Sequence, residues 1–409
     1  MLLSVMLRHL IRRGRLTVID AGGKPHVFAG EPGPDITVRL HDRALAWKLF
    51  LNPRLYCGEA FMDGSLTVEN ASIYDFLNLC TENMASAPPH WMTPLYNGFG
   101  WTFRQFQQRN PVTRAHRNVA HHYDLSDTLY DLFLDADRQY SCAYFPNLGI
   151  SIEEAQANKK RHIAAKLLLK PGQSVLDIGC GWGGLAIYLA RECGVEVTGL
   201  TLSVEQHKVA EHRAAAAGLS ERVRFRLEDY RAHRGAYDRI VSVGMFEHVG
   251  VPQYPDFFGA VHALLSENGV ALLHSIGRMD GPAATNPWLR KYIFPGGYSP
   301  ALSEVVPVVE RARLWITDIE ILRLHYAETL KLWRQRFNAN RERIRALYDE
   351  RFCRMWEFYL AGSEVAFRHQ GHLVFQMQMA RSIDAVPLTR DYMVDWERSH
   401  RVPVSERAA

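Results

Sequence analysis

The clearest periodicity lies in the middle of the chain, where short apolar runs alternate with helical stretches from residue 174 onward. The runs at 174–178, 195–200, 223–227, 237–243 and 269–274 are near-continuously apolar. Strands of that kind are covered on both faces, so they predict a mostly parallel sheet flanked by helices. Runs at 314–322 and 372–379 would complete it as antiparallel edge strands, seven in all. Between them, about 326–368, lies a long aromatic and basic helical region. Upstream, the pattern predicts a short amphipathic surface helix over 1–13, β-like runs at 16–19 and 36–40, and a helical stretch ending in Gly58-Glu59-Ala60-Phe61-Met62-Asp63-Gly64. The Pro-containing stretch 86–94 reads as a linker. The span 110–170 looks helical, with Ser151-Ile152-Glu153-Glu154 as a helix start: a serine cap with acids in the first turn.

Composition narrows the class. The 409 residues are 47% hydrophobic and 22% charged, which suits a large globular domain with a smaller companion and excludes disorder. The formal charge of +4 is too small to choose between an anionic membrane and nucleic acid, and no nucleic-acid recognition module is present. No run approaches the ~18 apolar residues of a spanning helix. At the start, Arg8, Arg12 and Arg13 follow the apolar residues, the wrong order for a signal peptide. The six cysteines (Cys57, Cys80, Cys142, Cys180, Cys193 and Cys353) form no C-x-x-C pair. They read as reduced thiols of a cytoplasmic protein, with no metal site.

The strongest local signal is Val175-Leu176-Asp177-Ile178-Gly179-Cys180-Gly181-Trp182-Gly183-Gly184, a glycine-rich turn between the first apolar strand and a helix. Glycine allows the sharp turn and the close approach of a ligand, and the helix N-terminus favours its polar or anionic group. Dinucleotides also use such turns. The acid two residues before the first glycine makes this one look like the S-adenosylmethionine turn of Rossmann-type methyltransferases. The second strand runs into Thr201-Leu202-Ser203-Val204-Glu205-Gln206, whose hydroxyls and amide could reach the ribose or the methionine end, although Ser203 is equally readable as a helix cap. After the third strand, Asp229 and Tyr230 offer an acid and an aromatic ring to the adenine.

With these pieces the chain resembles the cyclopropane fatty acid synthases and their mycolic acid relatives. The resemblance runs from 58–64 to about Arg381. It includes His121-His122-Tyr123-Asp124-Leu125-Ser126, Tyr140-Ser141-Cys142-Ala143-Tyr144-Phe145, the glycine turn, Ser242-Val243-Gly244-Met245-Phe246-Glu247-His248-Val249-Gly250, His274-Ser275-Ile276-Gly277, Lys291-Tyr292-Ile293-Phe294-Pro295 and His325-Tyr326-Ala327-Glu328-Thr329-Leu330. It implies an α/β fold: a Rossmann-like class I S-adenosylmethionine-dependent methyltransferase domain over 101–395, and a smaller N-terminal α+β domain over 1–100 tied to dimerisation or membrane work. It implies that Tyr140, Ser141, Gly179, Gly181, Thr201, Gln206, Asp229 and Tyr230 line the cofactor site, which the turn extends to Asp177 and Cys180 and the second strand to Leu202 and Ser203. It further implies that Cys142 and Ile276 (through their backbones), Glu247, His274 and Tyr326 cradle a bicarbonate ion. Relatives commonly carry cysteine where this chain has Ser363, which puts in doubt any thiol chemistry there.

The implied reaction is methylene transfer to a cis double bond of a phospholipid acyl chain. Methylation of the alkene leaves a carbocation that water would trap, so the chamber must be dry, and rings of Tyr123, Tyr140, Tyr292 or Phe294 could stabilise it. A base must then remove a proton from the added methyl group: bound bicarbonate, or Glu247 itself. Access is expected through an ordered cap at 277–300, where eight of twenty-four residues are Gly or Pro. The stripe Trp333, Phe337, Tyr348, Phe352, Trp356 and Tyr359 reads as core more readily than as lipid channel. Arg334, Arg341, Arg343, Arg345, Arg351 and Arg354 read as a solvated face or a docking patch for a phospholipid surface. Partners and location follow: unsaturated phospholipid in the bilayer, no nucleic acid, a homodimer, and a cytoplasmic protein held peripherally at the inner membrane face. Rival outcomes are a methyl or methylene branch, amine N-methylation on the same scaffold, or a non-catalytic lipid-binding descendant.

Overall fold

The structure, a computed structural model, describes residues 2–86 and 126–400. The motif around Tyr123, the linker beyond Ser86 and the expected domain boundary at 100 lie outside them. Residues 2–86 carry their own sheet, in the order β2-β1-β3-β4, from β1 (Arg13–Ile19), β2 (Pro25–Ala29), β3 (Glu31–Leu40) and β4 (Leu66–Val68). Helices α1 (Leu2–Leu10), α2 (Leu45–Leu51), α3 (Pro53–Met62) and α4 (Ile73–Ser86) accompany it. β2 and β4 escape the sequence pattern because one opens on proline and the other spans three residues. Leu3, Leu7 and Ile11 are buried against Leu16, Val18 and Phe76, so α1 docks its apolar stripe on its own unit.

The second sheet has seven strands, β5 (Ser174–Ile178), β6 (Glu196–Thr201), β7 (Val223–Leu227), β8 (Tyr237–Val243), β9 (Leu265–Arg278), β10 (Trp315–Ile321) and β11 (His372–Ala380), in the order β10-β11-β9-β8-β5-β6-β7. β5 to β9 pair in parallel, and β11 runs antiparallel to both β9 and β10. This is the doubly wound sheet with an antiparallel edge that the apolar runs predict. The span 110–170 is not helical throughout. α5 (Asp127–Phe133) ends at Leu134, and regular helix resumes only at α6 (Ile152–Leu167), where Ser151 Oγ accepts the Glu154 N–H as its cap. In between, the Asp135 carboxylate accepts the N–H groups of Asp137 and Gln139, at 3.1 and 2.9 Å, and so competes with helical backbone bonding.

The aromatic stripe is core: Trp333, Phe337, Trp356 and Tyr359, on α12 (His325–Ala339) and α14 (Glu350–His369), are buried. The arginines do not form one free face. Arg334 pairs with buried Glu364, Arg341 with Glu350 and Glu357, Arg345 with Glu342, Arg351 with Asp63 and Arg354 with Glu350, while Arg343 donates to Asn340. Arg334 and Arg341 are drawn inward by their partners, whereas Arg345 and Arg351 keep about half of their side-chain surface in water. Among the described residues, no helix is long and apolar enough to cross a membrane, and all six cysteines are free thiols.

Candidate active site

The site forms at the C-terminal ends of the parallel strands, where open α/β sheets collect ligands. Beyond β5, Gly179 has φ +86°, and a Cβ there would stand 2.7 Å from the Cβ of Met245, so the turn passes beneath Met245 only as glycine. Gly181, at φ +55°, has nothing within 4 Å of where its Cβ would be, which leaves bare backbone facing open space. Helix α7 (Gly184–Cys193) starts just behind.

The cavity above this turn is lined by Tyr140, Ser141, Asp177, Gly179, Cys180, Gly181, Thr201, Leu202, Gln206, Asp229 and Tyr230, all of the expected cofactor residues but one. The exception is Ser203. Its Oγ accepts the Gln206 N–H at 3.3 Å as the cap of α8 (Val204–Ala216). Gln206 Oε1 accepts the Thr201 hydroxyl at 3.1 Å, leaving its amide nitrogen to donate to a ligand. Asp229 is bound on both carboxylate oxygens by the Arg231 guanidinium, at 2.9 and 2.6 Å. Asp177 is 2% exposed and its Oδ2 has no hydrogen-bond partner. Burial pushes its carboxyl up to about 7, against the pull of Lys159.

Lys159 and Gln156, both buried on α6, are functional candidates that the sequence did not reveal. Lys159 Nζ donates to Ser141 Oγ at 2.8 Å and Gln139 Oε1 at 2.6 Å, and Gln156 Nε2 donates to the carbonyls of Gln139 and Ser141. The pair fixes the 139–141 wall of the cavity. A lysine inside a helix reads as solvated face, and only the arrival of 139–141 above it reveals otherwise. His248 also lines the cavity, with burial pushing its imidazole down to about 4.

The five residues assigned to the bicarbonate cradle are not among those that line this cavity. Glu247 follows β8, and its Oε1 accepts the Ile276 N–H at 2.6 Å. That N–H is engaged by Glu247. Glu247 Oε2 is shielded from water and unpartnered, and burial pushes the carboxyl up to about 7. His274 lies two residues before Ile276 on β9, hence on the same face. Gln376 Nε2 stands 3.1 Å from His274 Nδ1. An amide NH2 can only donate, so Nδ1 accepts and the imidazole proton sits on Nε2, which makes no hydrogen bond among the described residues. Burial holds His274 well below its ordinary range, so it is neutral. Tyr326 opens α12 within the aromatic core that also receives Tyr140 and Ile276. Cys142 is buried, its thiol raised by burial and turned to the Ala143 carbonyl at 3.3 Å. Ser363 sits on α14 beside Glu364, away from the cavity lining. Lys291 and Arg351 approach the Tyr292 ring at 5.0 and 6.0 Å from its centroid.

The family model described as mycolic acid cyclopropane synthetase matches residues 110–377. The chain belongs to this family. It is 37% identical over 327 residues to the cyclopropane-fatty-acyl-phospholipid synthase of Escherichia coli K12, covering 80% of this chain and 83% of that one. It is 35% identical over 391 residues to the tuberculostearic acid methyltransferase UfaA1 of Mycobacterium tuberculosis, covering 92% and 90%. A crystal structure of mycolic acid cyclopropane synthase CmaA1 complexed with SAH and CTAB superposes with a TM-score of 0.62 at 34% identity, covering 66% of this chain and 99% of that one. The protein is thus an S-adenosylmethionine-dependent enzyme of the cyclopropane synthase type, on the class I methyltransferase fold.

Proposed function

We propose that this cyclopropane synthase family member transfers a methylene unit from S-adenosylmethionine to a cis double bond of a phospholipid acyl chain. The products are a cyclopropane and S-adenosylhomocysteine. The observation that carries the reading is Glu247 Oε2, a buried unpartnered acceptor whose sister oxygen is anchored on the Ile276 N–H of the strand that also carries His274.

The residues suit the methyl donor. Asp177 offers a buried carboxylate oxygen to the methionine ammonium, Ser141 and Gln206 offer donors, and Tyr230 and Met245 offer apolar contact to the adenine. S-adenosylmethionine supplies an electrophilic methyl group on sulfonium. The alkene π pair forms the new C–C bond as the S–C bond breaks, and the acyl chain is left with a cation. Loss of a proton from the added methyl closes the ring. Hydrogen carbonate presents both a donor and an acceptor, the functions that a carboxylate oxygen and a neutral imidazole would meet, and we place the ion with Glu247 and His274 as the base. Since its substrate lies in a bilayer, the enzyme works peripherally at the inner membrane face.

The test is incubation of the pure protein with methyl-labelled S-adenosylmethionine and unsaturated phospholipid vesicles, followed by proton NMR of the extracted lipid. Upfield ring protons are expected. The similarity to a tuberculostearic acid methyltransferase favours one second reading, a methyl branch of equal carbon count, and a methyl doublet without ring protons would establish it instead. Turnover that persists unchanged after exhaustive removal of bicarbonate would make Glu247 the base.

A further inference from the structure

We infer that Glu59, on the N-terminal unit, is a positioning residue that holds the cap at 279–300 closed over the acyl-chain chamber; this rests on the phospholipid reading above. Glu59 Oε1 accepts the Tyr292 hydroxyl at 2.9 Å and the Lys291 ammonium at 2.6 Å. Both donors lie on α10 (Pro287–Tyr292), the only helix in the cap. The Lys291 contact is half exposed and screened by water, whereas the Tyr292 contact is part-buried and directional. Around it, α3 is shaped to receive α10. Trp288 is 1% exposed and its Nε1–H donates to Met62 Sδ at 3.2 Å, while a Cβ on Gly58 would come within 2.5 Å of that nitrogen. Gly58, Glu59 and Met62 thus meet Trp288, Lys291 and Tyr292 across one helix–helix seam.

The same segment reaches the chemistry at its other end. Tyr298 N–H donates to the Glu247 carbonyl at 2.9 Å, and the Phe294 ring stands 5.6 Å from Tyr359, whose hydroxyl is 2.9 Å from that of Tyr140 on the cofactor cavity. One short run of chain therefore joins Glu59 to the loop that carries Glu247. A lid so anchored excludes water from the acyl cation. When it opens, a water lone pair forms a C–O bond to the cation and a proton passes to solvent, giving a hydroxylated, methylated chain in place of the ring.

The experiment compares full-length Glu59→Ala and Glu59→Gln, since glutamine keeps a carbonyl acceptor for Tyr292. Hydrogen exchange of the 287–298 amides is read alongside S-adenosylmethionine affinity and the ratio of hydroxylated to cyclopropane product. In Glu59→Ala, exchange over 287–298 should quicken at least about ten-fold and the hydroxylated product should appear, with cofactor affinity within about two-fold. Glu59→Gln should stay near the wild type. Unchanged exchange in Glu59→Ala, or equal impairment in both variants, overturns the inference. A wild type that modifies no lipid, alongside a cap that still opens in Glu59→Ala, would sink the phospholipid reading and leave the brace standing.

Discussion

The Glu247 carboxylate accepts the Ile276 N–H at 2.6 Å, and that bond ties the loop after β8 to strand β9 while the other carboxylate oxygen stays buried and unpartnered. One oxygen is structural and the other is held ready. The division explains how a carboxyl pushed up to about 7 by burial keeps a fixed direction.

Glu247→Gln should lower turnover by roughly 10²–10⁴-fold and leave cofactor affinity within a few-fold, because Gln keeps an oxygen for Ile276 and the residue lies outside the cofactor cavity. The acceptor works only when ionised, so kcat/KM of the wild type should fall as pH drops through about 7. An acid limb near 4.5 instead would show that Glu247 is not the group that titrates. Steady-state kinetics across pH checks both points.

Asp177→Asn should weaken S-adenosylmethionine binding about 10–100-fold, the loss of one charge-assisted bond of roughly 1.5–3 kcal/mol. Stability should move the other way. The folded carboxyl is raised above its unfolded value, so its contribution is fully present at low pH and is lost as pH rises through about 7. At pH 8 the variant should match or exceed the wild-type Tm, and at pH 5 the advantage should vanish. Calorimetric titration and thermal melts measure the two halves.

Lys159→Met keeps the length of the side chain but removes the donor that fixes Ser141 and Gln139. The KM for S-adenosylmethionine should rise at least several-fold with kcat less affected. Burial lowers the Lys159 ammonium to about 8, so wild-type cofactor affinity should decline as pH rises above that value. The variant should lack that decline. A parallel decline in both proteins would assign it to another group.

Glu364 is 1% exposed and takes both Arg334 and Arg368, tying α14 to α12. Glu364→Gln takes from Arg334 its carboxylate partner, while Arg368 keeps Glu328, and should cost about 1.5–3 kcal/mol of stability. Urea unfolding at constant pH is the measurement, and a loss below about 1 kcal/mol would show that water already reaches the network.

Much of the sheet was legible because its strands are short, apolar and buried on both faces: β5, β7 and β8 fall where the runs predict, and β6 is offset by one residue. β9 extends four residues beyond its run at each end. Its first additional residues, Leu265 to Asn268, include exposed polar side chains that no apolar count would include. The cofactor cavity was legible for a related reason. A glycine turn and the strand ends beside it are local in sequence, and eleven of the twelve residues expected there line the cavity.

What the sequence by itself determined is the doubly wound sheet, the turn that receives a ligand and the carboxylate at the end of β8, since each follows from short-range periodicity or backbone geometry. Tertiary structure alone decided that Lys159 and Gln156 face inward, that Arg334 pairs with buried Glu364, that Ser203 caps its helix, and that Glu59 meets Tyr292 across 233 positions. Polar side chains carry no periodic label of their destination. Whether one ends in water or against a partner depends on which distant segment folds over it.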